Sequence, residues 1–466
     1  MTGQEFPTIR SSRACIALAL LITATALAYG QHERVIHTFR GGSDGANPYE
    51  AALVSDASGN LYGTTANGGA TTSACGTAGC GTVFELVAPA TLGGLWHEKV
   101  LYRFQGGADG ANPYASLRFD AAGNLYGTTY YGGTGTCMTL VPPFGCGTVF
   151  RLMPPATAGG SWTESVLYSF QGGLTDGYFP GAGVIVDRAG NLFGTTYLGV
   201  TLGIVFQLSP PSTVGGAWTE TILHNFPGYP YGDGAGPNSD LIVDAKGNLY
   251  GSTGAGGNVC TEPGDQEGSC GTVFQLSPPA TKGGAWTESV LFEFSSTLYP
   301  VGLAADKQGN LYGVNYYAGT GPCFGYADYL GGCGEVFQLT PPAVSGGAWL
   351  KNSIYSFTGG SDGAFPTARV ILSSNGKIYG TTSAYSLSCP ASYNGCGAVF
   401  SLAPPTAPGG TWTETTLHQF AGNNDGATPW SGLLIGKYGI FGTTYSGGTS
   451  TQCGTSGCGV AFQIVP

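Results

Sequence analysis

Charge is scarce in this chain and histidine scarcer still: only 9% of the 466 residues are Asp, Glu, Lys or Arg, and five are His. The 16 basic residues are outnumbered by 27 acidic ones, a formal charge of −11, which excludes a nucleic-acid surface built on a basic field. His32 and His97 are isolated, and His37, His224 and His418 share one repeated strand position, so no His-rich metal cluster is available. Phosphate-binding loops and nucleophile elbows are missing too. No apolar run after residue 28 approaches the ~20 residues of a membrane helix. In place of these the chain has 82 Gly and 12% aromatic residues, the composition of a turn-rich β protein with enough rings for a core.

Residues 1–30 read as a secretory signal. Arg10 and Arg13 precede an apolar run from Ala14 to Ala28, and small residues at Ala26, Ala28 and Gly30 offer a cleavage point. Cys15 stands at the start of that run rather than after it, which argues against a lipoprotein anchor. Removing the segment leaves 14 basic and 26 acidic residues, a formal −12 over residues 31–466.

The phrase Gly123-Asn124-Leu125-Tyr126-Gly127-Thr128-Thr129 recurs seven times, with its Tyr/Phe-Gly glycine at Gly63, Gly127, Gly194, Gly251, Gly313, Gly380 and Gly442. Spacings of 57 to 67 residues imply one supersecondary unit per repeat within a single domain. The second copy shows the unit. Tyr114 to Asp120 holds an innermost strand, Asp120-Ala121-Ala122-Gly123 a tight turn, and Leu125 to Thr129 a second strand. A longer loop leads to a third strand, Gly147 to Leu152, and Val166 to Phe170 is the outermost.

Four antiparallel strands repeated seven times predict an all-β, seven-bladed β-propeller. The chain ends agree: past residue 30 it starts on an unpaired outermost strand, Val35 to Phe39, and stops on a third strand, Gly459 to Ile464. Pairing the two would close the ring and hide two sheet edges. Six of the seven tryptophans, Trp96, Trp162, Trp218, Trp286, Trp349 and Trp412, fall on the connection from third to outermost strand, which an uncut chain makes six times.

Beyond Cys15, twelve cysteines lie two by two in the loops between second and third strands: Cys75/Cys80, Cys137/Cys146, Cys260/Cys270, Cys323/Cys333, Cys389/Cys396 and Cys453/Cys458. The third repeat, with a much shorter loop, has neither member. All-or-none occurrence is what a pair bonded within its own loop gives, and secretion supplies the oxidising compartment. A zinc site would need further Cys or His in the same loop, and no copy supplies them.

In a propeller the disulfide loops share a face with the loops that enter each innermost strand. There Asp44, Asp109, Asp176, Asp233, Asp362 and Asp425 each precede Gly, and only the fifth repeat lacks the motif. One carboxylate per loop is a turn-former rather than a calcium site. Tyr130, Tyr131, Tyr197, Tyr316, Tyr317, Tyr385 and Tyr445 follow the second strands on that face, either stacking on sugar rings or a partner's side chains, or packing beneath the disulfide loops. Four residues before the turn Asp, or its equivalent, the copies read Ala52, Ser116, Gly183, Asp240, Gly302, Arg369 and Gly432. If that position faces the channel, Asp240 and Arg369 mark a small-ligand site; a structural ion pair or simple exposure are the other readings. Arg118 is a weaker candidate of the same kind.

With Leu-Tyr-Gly-Thr-Thr, the Gly-Thr-Val-Phe strand and the Asp-Gly loop, the chain resembles the GloVer (Gloeo/Verruco) tandem-repeat family of bacterial extracellular proteins over residues 33–466. The resemblance implies a secreted propeller-like array and carries over no functional residues. Many relatives look surface-anchored through a C-terminal sorting tail, whereas this chain stops at Pro466. The expectation is a monomeric, released or periplasmic binding protein for polysaccharide or an extracellular protein, with neither metal nor cofactor. A channel-centred lyase or lactonase-like enzyme and a structural envelope component are the competing readings.

Overall fold

The computed structural model describes residues 32–91, 93–137, 145–157, 159–213, 215–258, 270–281, 283–295, 300–323, 332–344, 346–384, 389, 395–407 and 409–465. They form seven antiparallel sheets. In the first blade the strands run, from inside out, Val54–Ser55, Leu61–Thr65, Thr82–Val87 and His97–Arg103. The next five follow in chain order. The seventh joins Leu434–Gly436, Gly439–Thr444 and Val460–Val465 to His32–Thr38, in a register running from His32 opposite Val465 to Thr38 opposite Val460. The expected closure is therefore observed.

Two elements of the repeat explain each other. Each Gly-Thr-Val-Phe phenylalanine lies over the glycine of the neighbouring Tyr/Phe-Gly step, so that a Cβ on Gly127 would stand 2.6 Å from Phe150 Cζ. Nothing larger than hydrogen fits there. The same ring receives a phenylalanine from the preceding blade. Phe39 meets Phe84, Phe104 meets Phe150, and so on around to Phe420 and Phe462, edge to face at centroid distances of 5.0 to 5.3 Å. Each blade thus plugs its neighbour with a fully buried ring.

The innermost strand of the second blade is shorter than the sequence suggests, with Arg118–Phe119 alone in the ladder, whereas the fifth blade's runs over Pro300–Ala305. Near the axis the residues before such short strands leave the ladder, and side chains of the next blade satisfy some of their backbone groups. Ala52 N–H donates to Ser116 Oγ at 3.0 Å and Gly183 N–H to Asp240 Oδ1 at 2.7 Å. The fourth blade splits its inner edge into Gly234–Pro237 and Ile242–Val243, both paired with Leu249–Gly256. Outermost strands are longer than expected, Thr163–Ser169 in the second blade, because the Thr-Glu-Ser segment also pairs.

The repeated Asp of the Asp-Gly loops works between blades. It accepts from the tyrosine or histidine of the preceding outermost strand: Tyr102 to Asp109, Tyr168 to Asp176, His224 to Asp233, Tyr355 to Asp362 and His418 to Asp425, at 2.6 to 3.1 Å. His37 lies 3.5 Å from Asp44. These histidines are the packing substitutes the sequence suggested, edge-on to Phe39, Phe226 and Phe420, and they carry a polar contact as well. From the following blade a glutamate faces the same Asp: Glu98, Glu164, Glu220, Glu288, Glu414 and Glu33 oppose Asp44, Asp109, Asp176, Asp233, Asp362 and Asp425. Burial first and the facing aspartate second hold five of these carboxyls above the usual range, to about 7 or 8; Glu414 is raised by burial and then opposed by a hydrogen bond with Thr416, with Asp362 adding to the rise.

Five expected disulfides are formed: Cys75–Cys80, Cys137–Cys146, Cys323–Cys333, Cys389–Cys396 and Cys453–Cys458. Cys270 is also disulfide-bonded, and Cys260, its expected partner, lies outside the described residues. No described helix is long and apolar enough to cross a membrane.

Candidate functional site

The seven positions singled out before the turn Asp converge on the axis. Ala52, Ser116, Asp240, Gly302, Arg369 and Gly432 line the channel, and a Cβ on Gly183 would stand 3.2 Å from Asp240 Oδ1. Five small residues leave room for three longer groups. Asp240 and Arg369, from the fourth and sixth blades, line one cavity of 250 Å³ together with Arg118 and Ser116 from the second. Asp240 and Arg369 form no ion pair, and neither guanidinium has a hydrogen-bond or ion-pair partner among the described residues. Burial lowers the pKa of Arg118; Asp240 opposes that effect and the nearby positive charge of Arg369 adds to it.

Above this throat stands Glu50, which the sequence reading passed over. Its side chain reaches channel solvent yet is walled by protein, and it lines the narrow passage shared by Asp240 and Arg369. Enclosure, and then the charge of Asp240, raise its pKa to about 7 against a hydrogen bond with Tyr49. A signal was present: Pro48 precedes Ala52 by four positions, whereas Pro113, Pro180, Pro237, Pro366 and Pro429 precede their equivalents by three. Glu50 belongs to that one-residue insertion.

Around the mouth, rings from four blades touch in sequence. Trp430 meets Tyr445 at 4.6 Å, Tyr445 meets Tyr49 at 5.7 Å, Tyr49 meets Tyr114 at 4.7 Å, Tyr114 meets Tyr130 at 5.1 Å, and Tyr130 stacks on Phe179 at 5.0 Å. The rings are half-buried. Burial raises the pKa of Tyr49, Tyr114 and Tyr445, so their hydroxyls remain protonated at neutral pH. Of the expected tyrosines, Tyr130 and Tyr445 join this arc. Tyr197 is 36% exposed and lies beside Gly236. Tyr131 packs against the core that contains Cys75 and Cys80, and Tyr316 and Tyr317 against the one that contains Cys323 and Cys333. Tyr316 and Tyr317 also meet Phe365 at 4.9 and 5.8 Å. Tyr385 lies outside the described residues. Tyr49, Tyr114, Phe179 and Trp430 were missed because they follow the Asp-Gly loops rather than the second strands.

A closed ring of seven blades, with Arg118, Asp240 and Arg369 set among mostly apolar side chains in its throat and an aromatic rim at the channel mouth, defines a seven-bladed β-propeller. Within that class the chain belongs to the Gloeobacter/Verrucomicrobia repeat family, whose pattern matches residues 24–260 and 141–389. No curated protein matches the sequence. Among solved structures, a streptogramin B lyase is similar at 14% identity and TM-score 0.49, over 93% of this chain and 98% of its own. Virginiamycin B lyase from Staphylococcus aureus is similar at 11% and 0.48, over 94% and 99%. The extracellular domain of a one-component system from B. thetaiotaomicron is similar at 13% and 0.49, over 94% of this chain and 42% of that one.

Proposed function

We propose that this protein is a secreted, non-enzymatic binding protein that engages polysaccharide at the channel mouth. The observation that carries this reading is the arc of touching rings from Trp430 to Phe179. A row of half-buried aromatic faces beside protonated tyrosine hydroxyls offers stacking surface and hydrogen bonds together, the combination sugar rings use. Export is supported by five disulfides and by the apolar segment before residue 30. Residues 31–466, oxidised, are applied to a glycan array beside a Tyr49→Ala, Tyr130→Ala variant and a Tyr316→Ala, Tyr317→Ala variant. Selective binding lost in the first variant and kept in the second is expected. Retention of no glycan by the folded wild type removes the reading.

A channel-centred lyase or lactonase-like enzyme is the second reading, and Glu50 favours it: a channel carboxyl with a pKa of about 7 is suited to proton transfer at neutral pH. Turnover of a lactone or glycan substrate abolished by Glu50→Gln would establish it, and equal turnover in that variant would eliminate Glu50 as the proton carrier.

A further inference from the structure

Two guanidinium groups share the throat without a partner. A guanidinium carries five N–H donors and a permanent charge, so a half-buried one is ordinarily paired with a carboxylate or with backbone carbonyls. Arg118 and Arg369 have neither, although both line the same 250 Å³ cavity. Two like charges side by side in a confined space are unfavourable unless something negative lies between them. Asp240 compensates one charge, and one of its oxygens is already engaged by Gly183 N–H at 2.7 Å. With Glu50, which lines the passage beside Asp240, in its protonated form, one positive charge is left over in a chain whose overall balance is −11. Neutral polar groups stand close by. Thr367 Oγ1 and Asn238 Oδ1 line the passage above and are buried without hydrogen bonds, and the Ser116 hydroxyl, which accepts from Ala52 N–H, keeps its own proton to donate.

We infer that the throat binds the carboxylate of an acidic sugar, held between Arg118 and Arg369 while the sugar ring rests toward the aromatic mouth. This deepens the carbohydrate reading and rests on it. A carboxylate suits the site better than phosphate or sulfate because it is planar, accepts from a guanidinium in bidentate fashion, and brings the single negative charge that the two arginines and Asp240 leave unbalanced. The cavity lies at the small end of ligand sites, the scale of one sugar residue, so the acidic unit would be terminal or free.

The test is calorimetric titration of residues 31–466 with glucuronate and galacturonate, their methyl esters, the neutral hexoses, acetate, inorganic phosphate and sulfate. Arg118→Met and Arg369→Met variants are titrated in parallel, with circular dichroism to confirm that each retains the β fold. The expected result is uronate binding weakened by about tenfold to a hundredfold on esterification or in either variant, the scale of a lost charge-assisted hydrogen bond. The esters probe the unaltered protein, so a misfolded variant does not leave the matter open. Uronates, esters and hexoses binding alike, with no change in the variants, overturn the inference and leave the carbohydrate reading standing. Acetate, phosphate or sulfate bound through the two arginines with no sugar bound identifies a plain anion site and overturns the inference. No binding of any probe overturns the inference and leaves the carbohydrate reading to the glycan array.

Discussion

Tyr102 donates its hydroxyl to Asp109 across 2.6 Å, and Glu164 of the next blade faces the same carboxylate. Six junctions carry this trio, with His replacing Tyr in three of them. The fifth loop lacks Asp-Gly; there the preceding outermost strand carries Phe292 in place of the donor, and the following one carries Lys351 in place of the glutamate. Lys351 Nζ instead pairs with Glu335 at 2.6 Å. Donor, acceptor and facing acid are absent together, as expected of a unit whose members need one another.

Tyr102 and Asp109 should therefore be energetically coupled. A double-mutant cycle with Tyr102→Phe and Asp109→Ala, read by chemical denaturation, is expected to give a coupling of about 1 to 2 kcal/mol. Additive effects would reduce the contact to coincidence.

Stability should fall as pH rises from mild acid. Glu33 and Glu164 have folded-state pKa values of about 8, and Glu98, Glu220 and Glu288 of about 7, all raised from 4.5. A carboxyl raised in this way contributes stability fully below its unfolded pKa and loses it as pH rises through 7 to 8. Arg40 and Arg103 near Glu98, and His224 near Glu288, weaken the effect at those two sites. Asp44 is shifted down, so its contribution is lost in strong acid. Thermal melts should be highest near pH 4 to 5, fall between about pH 5 and 8, and level off above that in wild type. A Glu33→Gln, Glu164→Gln variant should show a shallower drop; an identical slope would discount the carboxyl pairs.

Gly127→Ala places a methyl group 2.6 Å from Phe150 Cζ. Overpacking of about 1 to 3 kcal/mol is expected in a denaturant midpoint. Adding Phe150→Leu should recover part of it, which a backbone effect alone would not allow.

Removing one disulfide, by Cys75→Ser with Cys80→Ser, opens a short loop with a sequence separation of 5. The loop-entropy relation gives about 2 kcal/mol for a loop of this size, and the loss should appear equally on reduction of the wild type at that bridge, read by differential labelling and calorimetry.

Much of the architecture is legible in the sequence because its determinants recur. The glycine of Leu-Tyr-Gly-Thr-Thr and the phenylalanine of Gly-Thr-Val-Phe are in register within one blade, and local alternation reveals both strands. Asp240 and Arg369 stood out as departures from a repeated small residue. The rest depends on distances that no local pattern encodes. Tyr49 and Trp430 are 381 positions apart and meet at 5.1 Å only once the ring closes. Glu50 was obscured because a one-residue insertion moves it off the repeat's alignment. Innermost strands such as Arg118–Phe119 were overestimated because neighbouring blades take over some of their backbone partners, as Asp240 does for Gly183.

The seventh blade draws strands from both ends of the described chain, with His32 opposite Val465. Joining ends 433 positions apart in an open coil would carry an entropy cost of about 5 kcal/mol by the logarithmic loop relation. Once six blades have docked through their phenylalanines, the two ends are already neighbours and most of that cost has been met. Whenever that ladder is unformed, the edges of His32–Thr38 and Val460–Val465 are open to strands of other molecules. This one ladder therefore protects two sheet edges at once, and any change that weakens it exposes both.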